Sequence, residues 1–207
     1  SDLNLAAAQE TATLLGAPAI ALQADVSKEE DAGRMIDETV RHFGGLNILV
    51  NNAGICPRTP VLEMGADEWD RVLGTNLRSV FLCSKAAAKV MKSAGGGKIV
   101  NISSGRGISG MKWSAHYASS KGGINGFTRT LGMEWAEYGI NVNAVGPGIT
   151  DTPLVRAIHT EKELEARAGA QPEKRLGQPE DVVGAVIFLC SEASKAMYGQ
   201  IIYMKTP

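Results

Sequence analysis

Polar and apolar positions along the chain follow two alternating rhythms. Short, largely apolar runs at residues 19–24, 46–50, 98–102, 140–145 and 200–204 predict strands. Between them, apolar residues return every three or four positions, the period of a helix with one buried face. Ser27-Lys28-Glu29-Glu30 has the spacing of a capping box. The helix it predicts runs to about His42, with Ala32, Met35, Ile36, Thr39, Val40 and Phe43 on one stripe. Residues 67–92 predict a long helical region in two pieces, and residues 114–137 another helix. Pro179, followed by Glu180 and Asp181, opens a helix that ends at Cys190. Apolar strands separated by helices imply a parallel sheet covered on both faces, so the expected fold class is α/β and doubly wound. Ligands of such sheets bind outside the carboxyl ends of the strands. Three strand ends carry small or polar residues there: Asn51-Asn52-Ala53-Gly54, Ser103-Ser104-Gly105 and Gly146-Pro147-Gly148.

Composition narrows the class of function. The 207 residues carry 21 basic and 22 acidic side chains, a net charge of −1, which argues against the basic face that a nucleic-acid binder needs. The longest apolar run, residues 182–190, is far below the ~20 residues that span a bilayer. Cys56, Cys83 and Cys190 are odd in number, widely spaced and set among apolar neighbours, so they read as thiols of a reducing compartment. No secretory leader opens the chain, and the expected location is the cytoplasm. The 24 glycines cluster at turns and leave no linker, so residues 1–207 are expected to form a single domain. His42, His116 and His159 are scattered without a carboxylate cluster, and no metal site is expected. His116 adjoins Tyr117 but points away from it on a helix, and is set aside as a second base.

Several residues could carry chemistry, although each has a plainer reading alone. Tyr117 and Lys121, four apart, share one helix face, and the ammonium is expected to lower the tyrosine pKa from its usual ~10. By itself the pair could be an exposed helical contact. Ser104 could be a turn serine, Asn76 a break between helix pieces, and Asn51 to Gly54 the turn that ends a strand. Together, Asp25-Val26, Asn51-Asn52-Ala53-Gly54, Asn76, Ser104, Tyr117-x-x-x-Lys121 and Pro147-Gly148-x-x-x-Thr152 stand in one order at one set of spacings. So arranged, the chain resembles the short-chain dehydrogenase/reductase family along nearly its whole length. Residues 175–182 (Arg-Leu-Gly-Gln-Pro-Glu-Asp-Val) and 199–203 (Gly-Gln-Ile-Ile-Tyr) also look like that family's closing segments.

The resemblance implies a Rossmann-like sheet and an NAD(P)-dependent oxidoreductase that interconverts a secondary alcohol and a ketone. It makes Tyr117 the acid/base, Lys121 the residue that holds the nicotinamide ribose and tunes the tyrosine, and Ser104 the group that polarises the substrate oxygen. Ser104 is chosen over Ser103 because it precedes Tyr117 by the family's spacing. Asn76 would interrupt its helix and hold a proton-relaying water. Asn52, Ala53 and Gly54 would pass the adenosine ribose, and Asp25 and Val26 would flank the adenine. Pro147, Gly148, Ile149 (through its backbone) and Thr152 would border the carboxamide. Asp2 matches the acid that ends the second strand and binds both ribose hydroxyls, which favours NAD while leaving NADP open; it or Asn4 could also cap the helix that runs through Leu15. Residues 153–178 would form a substrate lid, with Met111 and Trp113 lining the pocket. A homotetramer or homodimer is implied, with a small alcohol or ketone as the other partner and no nucleic acid or membrane.

The family's opening strand and glycine-rich turn, which seats a pyrophosphate on a helix N-terminus, find no counterpart before Asp2. The expectation is therefore a domain short of this fold by about one βα unit, its first strand and glycine-rich turn absent from the given chain. The alternative to an active enzyme is a truncated, inactive remnant that acts only by associating with intact relatives.

Overall fold

A computed structural model describes residues 1–204. In chain order, α1 (Leu5–Leu15) and α2 (Glu29–Phe43) precede β1 (Ile48–Asn51). Helix α3 (Ala66–Leu73) runs through a π-helical turn, Gly74–Arg78, into α4 (Ser79–Ser93), and β2 (Gly97–Ile102) follows. A single-turn α5 (Arg106–Ser109) leads to α6 (Ala115–Glu134) and β3 (Ile140–Gly146). Then come α7 (Pro153–Arg156), α8 (Glu161–Ala170), α9 (Pro179–Cys190) and β4 (Ile201–Tyr203).

The strands form one parallel sheet in the order β1-β2-β3-β4, with Leu49 opposite Ile99, Ile99 opposite Val142 and Val145 opposite Ile202. Side chains of period two divide between two cores. Leu49, Ile99 and Val142 pack with Ala32, Met35, Ile36, Leu82, Ala87 and Met91 of α2 and α4 and with Leu131 of α6. On the other face, Val100 and Val145 pack against Leu189 of α9. Within the first core, Asn51 donates to Ser84 Oγ (3.0 Å) and Asn101 Oδ1 (2.8 Å), and Asn101 donates to Thr128 Oγ1 (2.9 Å). This polar ladder fixes the register of β1, β2, α4 and α6, because each buried amide left unpaired would cost about 1–3 kcal/mol.

Three expectations of local structure are corrected. The run 19–24 does not become a strand; only Gln23 pairs, with Asp2, through an isolated bridge, where Asp2 N donates to Leu22 O (3.1 Å) and Ala24 N to Asp2 O (3.0 Å). The capping box at Ser27 does not form: Ser27 N and Oγ both turn to Asp25 Oδ1 (3.1 and 2.6 Å), and α2 begins later, at Glu29. The run 46–50 is not buried throughout, since Ile48 is 44% and Val50 41% exposed. Among the described residues, α2 and α4 cover one face of β1, while Val50 faces an open cleft.

Candidate active site

The carboxyl ends of β1, β2 and β3 open onto a trough of three adjoining cavities. Strand β2 delivers Ser103 and Ser104. Ser103 is spent on structure, its Oγ donating to Asn125 Oδ1 (2.6 Å), whereas Ser104 faces two of the cavities. Ser104 is hydrogen-bonded to Tyr117 and accepts from Arg106 N (3.2 Å). The turn that carries Ser104 lies directly on the Tyr117 helix. A Cβ on Gly107 would fall 2.7 Å from Gly122 N, so only glycine permits α5 to sit this close to α6.

Asn76 lies in the π-helical turn between α3 and α4, fully buried. Its Oδ1 accepts from Ile55 N (2.8 Å), and its Nδ2 donates to Ile55 O (2.9 Å) and to Ser120 Oγ (3.1 Å). The expected interruption of the helix is present, and its consequence is a clamp on the backbone that follows β1. Lys121 is 4% exposed and donates to Ile102 O (2.7 Å). Gly54 stands beside both residues: a Cβ there would lie 3.4 Å from Asn76 Oδ1 and 3.7 Å from Lys121 Nζ.

The electrostatics of the Tyr117–Lys121 pair differ from the expected tuning. Burial pushes Tyr117 up to about 12, with a further push from the Cys56 thiol; the Ser104 hydrogen bond and the Arg106 charge pull only partly back. Burial also lowers Lys121 to about 8. The ammonium sits 5.7 Å from the centre of the tyrosine ring and is committed to the Ile102 carbonyl. In this geometry Lys121 does not lower the tyrosine pKa, because desolvation outweighs an ammonium aimed elsewhere.

The smallest cavity, about 240 Å³, is lined by Ser104, Tyr117, Cys56, Met111, Ile149, Leu154 and Ile158, among others. The second, about 450 Å³, shares Ser104, Tyr117, Pro147 and Gly148 with it and adds Asn52, Gly54, Lys121, Thr152 and the apolar face of α9. The third, about 790 Å³, holds Asp2, Asp25, Val26, Asn52, Ala53 and Gly54. Apart from Asn76, which is fully buried and lines none of the three cavities, the sequence-predicted residues lie along one trough. Ile149 lies off the second cavity; it lines the smallest one, and its carbonyl accepts from Gly177 N (3.0 Å). Thr152 caps α7, accepting from Val155 N (3.4 Å). Asp2 pairs with Gln23 and accepts from Asn4 N (2.8 Å), while Asn4, not Asp2, caps α1. Met111 lines the smallest cavity; Trp113 lies outside it, beneath the Arg58 guanidinium (4.7 Å). His116 is turned away and buried against Glu68 (3.0 Å).

Residues not anticipated from the sequence also enter the site: Cys56, Arg106, His159 and Arg167. They come from three separate segments, His159 and Arg167 both from the stretch expected to form the lid, and only the tertiary fold brings them together.

The trough is lined by Asp2 in its third cavity and by Ser104, Tyr117 and Lys121 in its second. Gly54 keeps clear the point where a side chain would meet Asn76 and Lys121.

Comparison with known proteins gives concordant results. The sequence profile of a family described as enoyl-(acyl carrier protein) reductase matches residues 1–206. A 3-oxoacyl-[acyl-carrier-protein] reductase of Synechocystis is 39% identical over 181 residues, covering 87% of this chain and 72% of the relative. A crystal structure of a provisionally assigned short-chain alcohol dehydrogenase from Sinorhizobium meliloti 1021 superposes with a TM-score of 0.93 at 34% identity, covering 98% of this chain and 82% of that one. The structure of ElxO with NADP bound superposes with a TM-score of 0.82 at 33% identity, covering 89% and 76%.

Proposed function

The chain belongs to the short-chain dehydrogenase/reductase family of NAD(P)-dependent oxidoreductases, and from that premise we propose that it interconverts a secondary alcohol and a ketone with Tyr117 as acid/base. The observation that carries this reading is the meeting of Ser104 and Tyr117 on the wall shared by two cavities, with Lys121 and Asn76 directly behind. A bound nicotinamide cofactor supplies the hydride acceptor or donor. In the oxidising direction Tyr117 removes the hydroxyl proton, and in reduction it returns it. Ser104 donates a hydrogen bond to the same substrate oxygen, which fixes the carbinol against Tyr117. Lys121, anchored on Ile102 O, presents its ammonium toward the ribose side and becomes a tuning charge for Tyr117 once the cleft is filled. Asn76 acts as a positioning residue through its clamp on Ile55, and its helix interruption supports a water that relays protons toward Lys121.

In the second cavity Asn52, Gly54, Pro147, Gly148 and Thr152 border the nicotinamide; in the third, Asp25 and Val26 flank the adenine and Ala53 the ribose. Ile149 contributes through its main chain. Asp2 opposes a 2′-phosphate by charge repulsion and selects NAD, in contrast to the NADP seen in ElxO. Residues 153–178 act as the lid, α7 and α8 lying over the smallest cavity, and the active unit is a homotetramer or homodimer. The test is a panel of secondary alcohols with NAD and NADP, followed by the absorbance of the reduced nicotinamide. Turnover with NAD preferred, lost on Tyr117→Phe, is the expected result. No turnover across the panel, or retained turnover in the variant, overturns the reading.

A further inference from the structure

The smallest cavity has a charge that the Ser104–Tyr117 chemistry does not require. Arg106 and Arg167 line it, while most of the remaining lining is apolar, including Met111, Leu154, Val155 and Ile158. At the adjoining mouth the same two arginines stand with Arg58 and Lys112, and Glu163 is the one carboxylate among the described residues there. That carboxylate is already taken: it accepts from Thr160 N (2.9 Å) and from Arg58 Nη1 (3.2 Å). Arg58 also donates to Ile158 O (2.8 Å) and stacks on Trp113, so it serves to pin α8 to the loop after β1.

Arg106 and Arg167 are not committed in this way. Among the described residues the Arg167 guanidinium has no hydrogen bond or ion pair, and that of Arg106 reaches only Ser109 Oγ, at 3.3 Å. Both are half-buried: burial and the Arg106 and Arg58 charges disfavour the charged form of Arg167, and the Glu163 carboxylate offsets this only in part. Burial and the charges of Arg167 and Arg58 likewise lower the His159 pKa, so His159 adds no proton to the cluster at neutral pH. Two half-buried like charges, offset only by a carboxylate that already serves Arg58 and Thr160, favour the arrival of an anion. A planar guanidinium fork matches a carboxylate in shape and charge.

We infer that the substrate carries a carboxylate received by Arg106 and Arg167, on an apolar carbon skeleton that brings its secondary alcohol to Ser104 and Tyr117: a hydroxy acid, or the corresponding keto acid. This assignment rests on the reading of Ser104 and Tyr117 as the reacting end of the cavity. An apolar skeleton follows from Met111, Leu154, Val155 and Ile158, which offer no partners to a polyhydroxylated chain.

Binding and turnover of 3-hydroxyhexanoate, its carboxamide and its N-acetylcysteamine thioester test the assignment by calorimetry and by cofactor reduction. The acid binds about tenfold or more tightly than the amide, the size expected of one charge-assisted hydrogen bond. Arg167→Gln and Arg106→Gln each narrow that gap, Arg167→Lys retains part of it, and added salt shrinks it in the wild type. The amide titration in each variant reports whether the cavity has survived the substitution. Equal binding of acid and amide, tightest binding of the thioester, or a gap that persists in both glutamine variants overturns the carboxylate assignment. Those results with turnover retained leave the oxidoreductase reading standing. Acid-selective binding without turnover of any of the three upholds the carboxylate and overturns hydride transfer.

Discussion

The two sides of the smallest cavity are held by different physics. On one side Ser104, Tyr117, Lys121 and Asn76 stand on the end of β2, on α6 and in the π-helical turn, each tied to backbone or to a buried hydroxyl. On the other, Arg58 and His159 are joined by charge contacts to the partly exposed Glu163 of α8, and Arg167 of the same helix stands beside them without an ion pair among the described residues. Buried hydrogen bonds on regular elements over-determine where a reacting atom can sit. Screened ion pairs between side chains on loops and short helices are individually weak and allow one side to move relative to the other. The difference assigns chemistry to the rigid side and selection of the substrate to the movable one.

Substitutions on the rigid side test that division most severely. Tyr117→Phe removes the proton-transfer group while keeping the ring, and kcat falls by about 10²–10⁴-fold, the usual range for a lost general acid or base. Ser104→Ala loses one oriented hydrogen bond to the substrate oxygen, and steady-state kinetics should show a fall of roughly 10²-fold in kcat with little change in KM. A larger effect of either substitution on KM than on kcat would move these residues from chemistry to plain binding.

The next effect concerns stability. Lys121 is lowered to about 8 in the folded protein from 10.5, so between these values the unfolded chain binds more protons. Stability therefore rises with pH through that window, and the cost of the buried charge is fully present below pH 8. Lys121→Met should consequently stabilise the protein at pH 7, by roughly 2–3 kcal/mol less the lost bond to Ile102 O, while abolishing activity. The advantage should shrink as the pH is raised toward 10, which denaturant melts at several pH values would read. Tyr117 acts in the opposite sense: raised to about 12 from 10.0, it makes stability fall with pH between those values.

The smallest effect belongs to the movable side. Glu163→Gln removes the one carboxylate of the mouth and leaves the arginines unopposed. The preference for acid over amide should sharpen by about two- to threefold in binding measurements, because the removed contact was half-exposed and screened. A weakened preference would mean that Glu163 orders the arginines more than it neutralises them.

The same division decides what could be read from the sequence. Helix α9 runs from Pro179 to Cys190 as predicted, because a proline at the first position and acids in the first turn are local signals. The break at Asn76 was legible for the same reason, asparagine being a poor helix former. At Ser27 the local signal misled, since Asp25 competed for the hydroxyl that the capping box required. The sign of the Tyr117 shift was hidden because it depends on burial, and a four-residue spacing says nothing of desolvation. Arg58, Arg106 and Arg167 were hidden more completely. A net charge of −1 averages over the whole surface, and their convergence exists only once α5, α8 and the loop after β1 have packed around one cavity.

Hydride transfer at the Ser104–Tyr117 wall is tested most directly by following a label. The protein is incubated with NAD and 3-hydroxyhexanoate deuterated at the carbinol carbon, and the reduced cofactor is weighed by mass spectrometry. The account predicts one deuterium in the reduced nicotinamide and none released to water. Product formed with the deuterium in solvent, or no reduced cofactor from this or any other secondary alcohol, would contradict it.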